Sequence, residues 1–313
     1  MNTRSAHVLA AGVLLALCAD WVAADGPGAV FGVGVLRRDG IIVPFAAFNG
    51  KRWVANWPLP DVELDVPISV HDVPSKWWGP THALERWQAW TGRDPQPLRV
   101  VQPDWIDVHC TRQIGLRTDY LPAGGAPPLT EQPYPKDGLA VSPPQPVQPI
   151  ASVRPESDET RALIPVVHDA FNKAERQTEG RGNHPVPRRA REGRAPDIEA
   201  VYAIGDNPRV YYVEAARQYR LLGQPASDCE AVAFGSFWFA REGTDLKALD
   251  SEVDLLACNR AGANYMLPLG AMRVGGELFW LAQFSGWDQE RYVVVEIKRK
   301  SVQAAVNVWG GSC

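Results

Sequence analysis

The clearest pattern of apolar and polar positions lies between residues 264 and 297. Two apolar runs flank Gly275-Gly276, a dipeptide that favours a two-residue hairpin turn because glycine readily adopts the positive φ angles that the turn needs. The pattern predicts one strand over residues 266–273, its partner over 277–284 and a third strand over 291–297, where successive side chains point to opposite faces. The segment is therefore predicted to form a three-stranded antiparallel meander.

A similar pattern occurs near the start of the chain. Residues 34–50 align without gaps with residues 270–286, and the turn dipeptides Asp39-Gly40 and Gly275-Gly276 fall at the same place. The identities are Gly34/Gly270, Arg37/Arg273, Gly40/Gly276, Ala46/Ala282, Phe48/Phe284 and Gly50/Gly286. Repeated hairpins of this kind are typical of propeller blades or of a duplicated sheet.

Patterns typical of strands cover most of the remaining chain. In the N-terminal part they lie over residues 29–57, 62–70, 98–102 and 105–110, and they recur almost continuously from residue 197 onward. The predicted fold class is mainly β: antiparallel meanders forming a propeller-like or layered β-sheet, with a short helical and loop insertion. Thr81 can cap a helix over residues 82–90, and Pro165 can occupy the first turn of a second helix that ends near Gln177.

The stretch between residues 121 and 150 is rich in proline. Nine prolines lie in it, and proline cannot donate to a strand ladder, so we expect an extended linker or a long surface excursion. The predicted organisation is a signal peptide over 1–24, an N-terminal β part over 25–121, a Pro-rich linker, short helix and basic loop over 122–196, and a C-terminal β meander over 197–313. The two β parts are expected to form one structural unit.

The first residues have the pattern of a secretory signal peptide. Arg4 precedes an apolar run that ends at Cys18, and small residues at Val22 and Ala24 predict cleavage after Ala24. The predicted location is therefore periplasmic or extracellular, and no later stretch reaches the roughly 20 apolar residues of a membrane span. Lipidation at Cys18 is an alternative, although Leu17 is larger than the small residue that usually precedes a lipidated cysteine.

The net charge and the cysteine content limit the class of binding partner and the cellular compartment that the sequence indicates. Residues 1–24 hold one basic and one acidic residue. Their removal changes the count from 32 basic and 36 acidic residues to 31 and 35, so the net charge stays at −4. Nothing in this balance indicates a nucleic-acid partner. Four cysteines follow the predicted cleavage site: Cys110, Cys229, Cys258 and Cys313. In an oxidising compartment they favour two disulfides with three possible connectivities, in which Cys110 pairs with the C-terminal half; four free thiols are the alternative.

Motifs for the common enzyme classes are missing from the sequence. Gly32 and Gly34 lack the third glycine of a dinucleotide fingerprint, and no serine-hydrolase elbow, zinc-protease motif or phosphate loop occurs. The histidines and cysteines show no metal-ligand spacing, so neither a metal nor another cofactor is predicted. Catalytic residues remain unknown because no pair of carboxylates stands out.

One basic segment has two interpretations. Residues 180–194 contain five arginines among glycine and proline. Such a segment can bind phosphate or a polyanion, but a solvated, protease-sensitive loop is the interpretation that we favour on composition.

Tryptophan is the one unusual enrichment, with 12 residues. Flat rings beside polar groups bind sugars, and Trp77, Trp78, Trp87 and Trp90 are the candidate ligand-binding residues, whereas Trp280 and Trp309 lie inside predicted strands and are assigned to the core. The predicted function is an exported, non-catalytic binding or structural protein whose ligand is a glycan or another envelope component. The alternatives are a carbohydrate-active hydrolase with paired carboxylates in a Trp-lined cleft, and a lipid-anchored envelope component.

Overall fold

The computed structural model describes residues 30–56, 66, 68–69, 87–92, 94–129, 133–179, 184, 186–191, 193–220 and 229–313. The predicted signal peptide, Trp77 and Trp78 lie outside these residues. The structure is mainly β, with 57% strand and 10% helix, and its sheets are antiparallel, which confirms the predicted fold class.

The N-terminal sheet has eight strands. Its order is β5-β4-β8-β1-β2-β7-β6, with the short β3 paired to β2, and it curls into a half-barrel. The strands are β1 (Val30–Arg37), β2 (Ile41–Asn49), β3 (Trp53–Ala55), β4 (Trp87–Trp90), β5 (Gln96–Leu98), β6 (Val100–Val108), β7 (Thr111–Thr118) and β8 (Lys136–Ser142).

Two local predictions in this region are wrong. Trp87–Trp90 forms strand β4 rather than the end of a helix, because its backbone pairs with both β5 and β8. Lys136–Ser142, assigned to the linker, is strand β8 between β4 and β1. The prolines flank this strand and leave its own N–H donors intact. Beyond it, Gln148 exchanges two backbone hydrogen bonds with Ala271, so the proline-rich stretch is joined to the C-terminal sheet.

The middle of the chain forms a five-stranded sheet covered by a helix. The sheet order is β13-β12-β11-β10-β9. Its strands are β9 (Ala151–Ser152), β10 (Asp197–Ile204), β11 (Arg209–Tyr219), β12 (Ala231–Glu242) and β13 (Asp245–Leu256), and the helices between β9 and β10 are α1 (Asp158–Glu179) and α2 (Arg188–Arg191). Pro165 lies inside α1, not in its first turn. Ser157 caps the helix by accepting a hydrogen bond from the Thr160 N–H, so α1 begins earlier than Pro165 indicated.

The predicted C-terminal meander is confirmed and extended by one strand. It consists of β14 (Tyr265–Val274), β15 (Glu277–Ser285), β16 (Gln289–Ile297) and β17 (Val302–Ser312), paired in chain order. Gly275 and Gly276 have φ angles of 59° and 83°, as a two-residue hairpin turn requires. The N-terminal hairpin has a longer turn, because Leu36 pairs with Ile42 there, whereas Val274 pairs with Glu277. The two hairpins therefore have turns of different length, although their turn residues align in sequence.

The sheets are stacked in layers with the four-stranded sheet in the centre. One face of that sheet packs on the eight-stranded sheet through residues such as Leu281 and Val294, and the other packs on the five-stranded sheet through Trp280 and Val293. Burial of both faces explains the unbroken apolar runs at residues 278–282 of β15 and 292–295 of β16. The outer face of the five-stranded sheet packs on α1, where Phe171 is fully buried.

The described chain has two disulfides, one between layers and one that joins the ends of the neighbouring strands β12 and β13. Cys110, in the turn between β6 and β7, pairs with Cys313, the residue after β17, and Cys229 pairs with Cys258. The Thr111 hydroxyl also bonds the backbone of Ser312 at 3.1 Å. The end of β17 is therefore held against the N-terminal sheet. Within the described part of the chain, no helix is long and apolar enough to cross a membrane.

Candidate functional site

The structure describes two of the four candidate tryptophans, and these two have different surroundings. Trp77 and Trp78 lie outside the described residues, and Trp87 is buried in the core on one face of the eight-stranded sheet. Trp90 is half-buried and lines a cavity of about 270 Å³. Trp280 is fully buried, which confirms its assignment to the core, whereas Trp309, on the edge strand β17, is 51% exposed and its assignment to the core is wrong.

The cavity beside Trp90 lies where the eight-stranded and four-stranded sheets meet. Asp137 is the one carboxylate among the described residues that line it, and Lys136 and Gln148 are its other long polar side chains. The Lys136 ammonium group is occupied, since it donates to Glu290 Oε2 at 3.1 Å and to the Tyr134 carbonyl at 2.5 Å. Burial lowers the pKa of Lys136, and the Glu290 carboxylate opposes that shift. This ion pair is part of the core between the two sheets.

A second cavity, of about 380 Å³ and open to solvent, is lined by residues of α1, α2 and β11, and we call it the basic cavity. Its basic residues are Lys173, Arg176, Arg188, Arg191 and Arg217, and its acidic residues are Asp169 and Glu175. The helix residues Asp169, Asn172, Lys173 and Arg176 share one face of α1, because residues three and four apart are neighbours on a helix. Arg217 reaches the cavity from β11, and Arg188 and Arg191 reach it from α2.

A buried ion-pair network forms the floor of the basic cavity. Arg217 Nη1 donates to Glu175 Oε2 at 3.0 Å, and Arg217 Nη2 donates to Asn172 Oδ1 at 2.9 Å. The Arg217 guanidinium also lies 4.7 Å from the centroid of the Phe171 ring. Arg191 Nη1 is 4.0 Å from the same Glu175 oxygen. These contacts hold Arg217 in one orientation, as stacked and bidentate guanidinium groups usually are held.

The other oxygen of Glu175 has neutral partners. The Tyr219 hydroxyl donates to Glu175 Oε1, and His184 Nε2 lies 3.5 Å from that oxygen. His184 Nδ1 accepts the Val186 N–H at 3.0 Å, which leaves Nε2 as the protonated nitrogen of the neutral ring. Burial, reinforced by the bond to Glu175, raises the pKa of Tyr219, so the phenol remains protonated at neutral pH.

Positive charge exceeds negative charge around the basic cavity. Among the described lining residues, five side chains are basic and two are acidic, so these residues carry 5 − 2 = +3 charges. Two of the guanidinium groups, those of Arg191 and Arg217, are buried and share the Glu175 carboxylate. The Arg217 Nε–H is also buried without a hydrogen-bond partner in the described part of the chain. Because buried positive charge is costly unless it is compensated, the buried Arg217 guanidinium with its unpartnered Nε–H favours an anion in the cavity.

The described part of the basic segment is only partly solvated. Arg191 is 7% exposed, whereas Arg188, Arg189 and Arg194 are exposed, and of these three only Arg188 is among the described residues that line the cavity. Sequence reasoning missed Glu175 and Arg217, which are distant from the segment in the chain. The signal that could have found Arg217 is a charged residue at a buried position of the apolar strand β11.

One further buried carboxyl group lies between the five-stranded and four-stranded sheets. Glu214, on β11, accepts the Met266 N–H of β14 at 2.6 Å and is 3% exposed. Burial raises its pKa to about 7, while the bonds from Met266 and Tyr212 oppose that shift. The group titrates near neutral pH, but its burial keeps it away from a dissolved substrate.

Among the described residues, no group of three or more histidine, cysteine, aspartate or glutamate side chains is arranged to hold a metal ion. Comparisons of the chain with protein family models, with curated proteins and with solved structures gave no match. The argument for function therefore depends on the geometry of the basic cavity.

Proposed function

We propose that this protein is an exported, non-catalytic binding protein and that it binds an anionic ligand in the basic cavity. The observation that carries the proposal is the net charge of +3 on the described residues that line a cavity of about 380 Å³. Export is supported by the signal-peptide pattern of residues 1–24 and by two disulfides, which persist in oxidising compartments.

Binding fits the lining of the cavity better than catalysis does. No serine, threonine, cysteine or histidine is among its described lining residues, so this part of the chain supplies no nucleophile of those types. Glu175 is held between Arg217 and Tyr219 and is not placed as a free general base. Clustered basic side chains, of which Arg217 is held by Glu175 and Asn172, are instead a usual means of binding anionic groups.

The hydrolase alternative requires two carboxylates that face each other beside tryptophan. Among the described residues of the cavity that Trp90 lines, Asp137 is the one carboxylate, and it already accepts a hydrogen bond from the Tyr120 hydroxyl at 2.7 Å. This arrangement does not favour the hydrolase, and the alternative stays a prediction.

Isothermal titration calorimetry of the mature, disulfide-bonded protein with inorganic phosphate tests the proposal. We expect binding that weakens as the salt concentration rises, because the attraction is electrostatic. Arg188→Gln should weaken binding at least tenfold, whereas Arg189→Gln should leave it unchanged. The two residues are adjacent, exposed and on the same short helix, but only Arg188 lines the cavity. Absence of binding, or equal effects of the two substitutions, would refute the proposal.

A further inference from the structure

The chemistry of the basic cavity also restricts the body of its ligand. Apart from Gly193, every described lining residue is charged or is the amide Asn172. No aromatic or aliphatic side chain is among these lining residues, so the described wall offers neither a surface for stacking a nucleobase nor one for an acyl chain. A ligand that fits this wall is polar over its whole surface.

The size of the cavity indicates more than a single oxyanion. A volume of about 380 Å³ lies within the range of small-molecule sites, about 300 to 1,000 Å³. An inorganic anion alone would leave much of this volume to water. The ligand therefore has an anionic group together with a hydrogen-bonding body.

The two ends of the cavity differ in chemistry. Arg217 and Arg191 lie at the buried end, and planar guanidinium groups match the paired oxygens of phosphate, sulfate or carboxylate. Asp169 lies at the exposed rim, with its side chain 88% exposed. A carboxylate repels an anion but accepts hydrogen bonds from hydroxyl groups. The rim is thus suited to hydroxyl groups, and the buried end is suited to the anionic group.

We propose that the ligand of the basic cavity is a phosphate or sulfate monoester of a sugar, with the ester group bound at Arg217 and Arg191 and sugar hydroxyls bound at Asp169 and Asn172. This inference rests on the proposed function and names its ligand class. A phosphate monoester suits the net charge of +3 because it carries nearly two negative charges at neutral pH, whereas a sulfate monoester or a carboxylate carries one.

Calorimetry with five probes tests the ligand class: glucose 6-phosphate, glucose 6-sulfate, glucuronate, inorganic phosphate and glucose. We expect glucose 6-phosphate to bind at least tenfold more tightly than inorganic phosphate and glucuronate, and glucose not to bind. Binding of glucose 6-sulfate as tight as that of glucose 6-phosphate would extend the class to sulfated sugars. Much weaker binding of the sulfate would restrict it to phosphorylated sugars.

Asp169→Asn provides an internal test, because it removes the rim carboxylate without touching the buried network. It should weaken glucose 6-phosphate binding severalfold and leave inorganic phosphate binding unchanged or tighter. Equal affinity for glucose 6-phosphate and inorganic phosphate, or an equal response of both to Asp169→Asn, would overturn the sugar ester and leave anion binding intact. Failure of every anion to bind would overturn both proposals.

Discussion

Glu214 provides the sharpest test of the stacking between the five-stranded and four-stranded sheets. Its carboxyl group lies between the sheets, accepts the Met266 N–H and has no basic side chain among its hydrogen-bond or ion-pair partners in the described chain. Tyr212 bonds it and is itself bonded to Ser236, Tyr202 is the other phenol that interacts with it, and the charge of Glu199 raises its pKa further. Glu214→Gln keeps a carbonyl acceptor for Met266 and removes the ionisable proton.

The magnitude follows from the pKa. The folded-state pKa of Glu214 is about 7 and its ordinary value is 4.5, a difference of 7 − 4.5 = 2.5. Each pKa unit corresponds to about 1.4 kcal/mol, so the difference is worth about 3 kcal/mol. Because the folded state binds the proton more tightly, this contribution to stability is present below pH 4.5. It falls as the pH rises to 7 and is absent above that.

We therefore expect Glu214→Gln to equal the natural chain in unfolding free energy at pH 4.5 and to exceed it by about 3 kcal/mol at pH 8. Urea unfolding of both oxidised proteins from pH 4.5 to pH 8 measures the difference, in which the other titrating groups cancel. Glu277→Gln, at the exposed first position of β15, is the control and should show no such trend. A difference that does not change with pH, or a variant less stable than the natural chain at pH 8, would refute this reasoning.

Three further predictions concern export, disulfides and tryptophan. The exported protein should begin at Asp25, as intact mass will show, and a chain that begins with acylated Cys18 would contradict the predicted cleavage. Non-reducing peptide mapping should find Cys110 joined to Cys313. Cys110→Ser should lower the free energy of unfolding by up to about 5 kcal/mol, because the closed loop spans 203 residues. A free Cys110 thiol in the natural protein would remove the basis of this expectation. Urea unfolding should show that Trp280→Ala lowers the free energy of unfolding by about 3 to 5 kcal/mol and Trp309→Ala by about 0.5 kcal/mol or less. The reason is that the first side chain is fully buried and the second is 51% exposed. Equal losses of stability would contradict the layered packing.

The elements that sequence predicted well are those fixed by neighbouring residues. The glycine pair at 275 and 276 and the alternation on either side of it determine the β14–β15 hairpin locally. Strand β4 and strand β8 were assigned wrongly because their partners are distant in the chain: residues 88–90 pair with 139–141. Backbone pairing of that kind overrides local helix or linker preference, and no short window of sequence contains it.

The basic cavity also depends on long-range contacts that the local sequence does not contain. The arginines of residues 180–194 were visible in the sequence, and binding of phosphate or a polyanion was one of their two interpretations. The burial of Arg191 was not visible, because it depends on Glu175 of α1 and Arg217 of β11, which lie 42 residues apart. The proline inside α1 also concealed the start of the helix whose face forms one wall.

The sequence by itself determined the β-rich class, the C-terminal meander and the requirement that Cys110, if all four cysteines pair, joins the C-terminal half. Turn residues and period-two alternation specify such features over a few residues, and a count of cysteines suffices for the last. Only the tertiary structure decided the order of the layers, the burial of Trp280 and exposure of Trp309, and the meeting of α1, α2 and β11 around one charged cavity. These features depend on which apolar faces cover each other and on long-range strand pairing, and both arise from contacts between residues far apart in the chain.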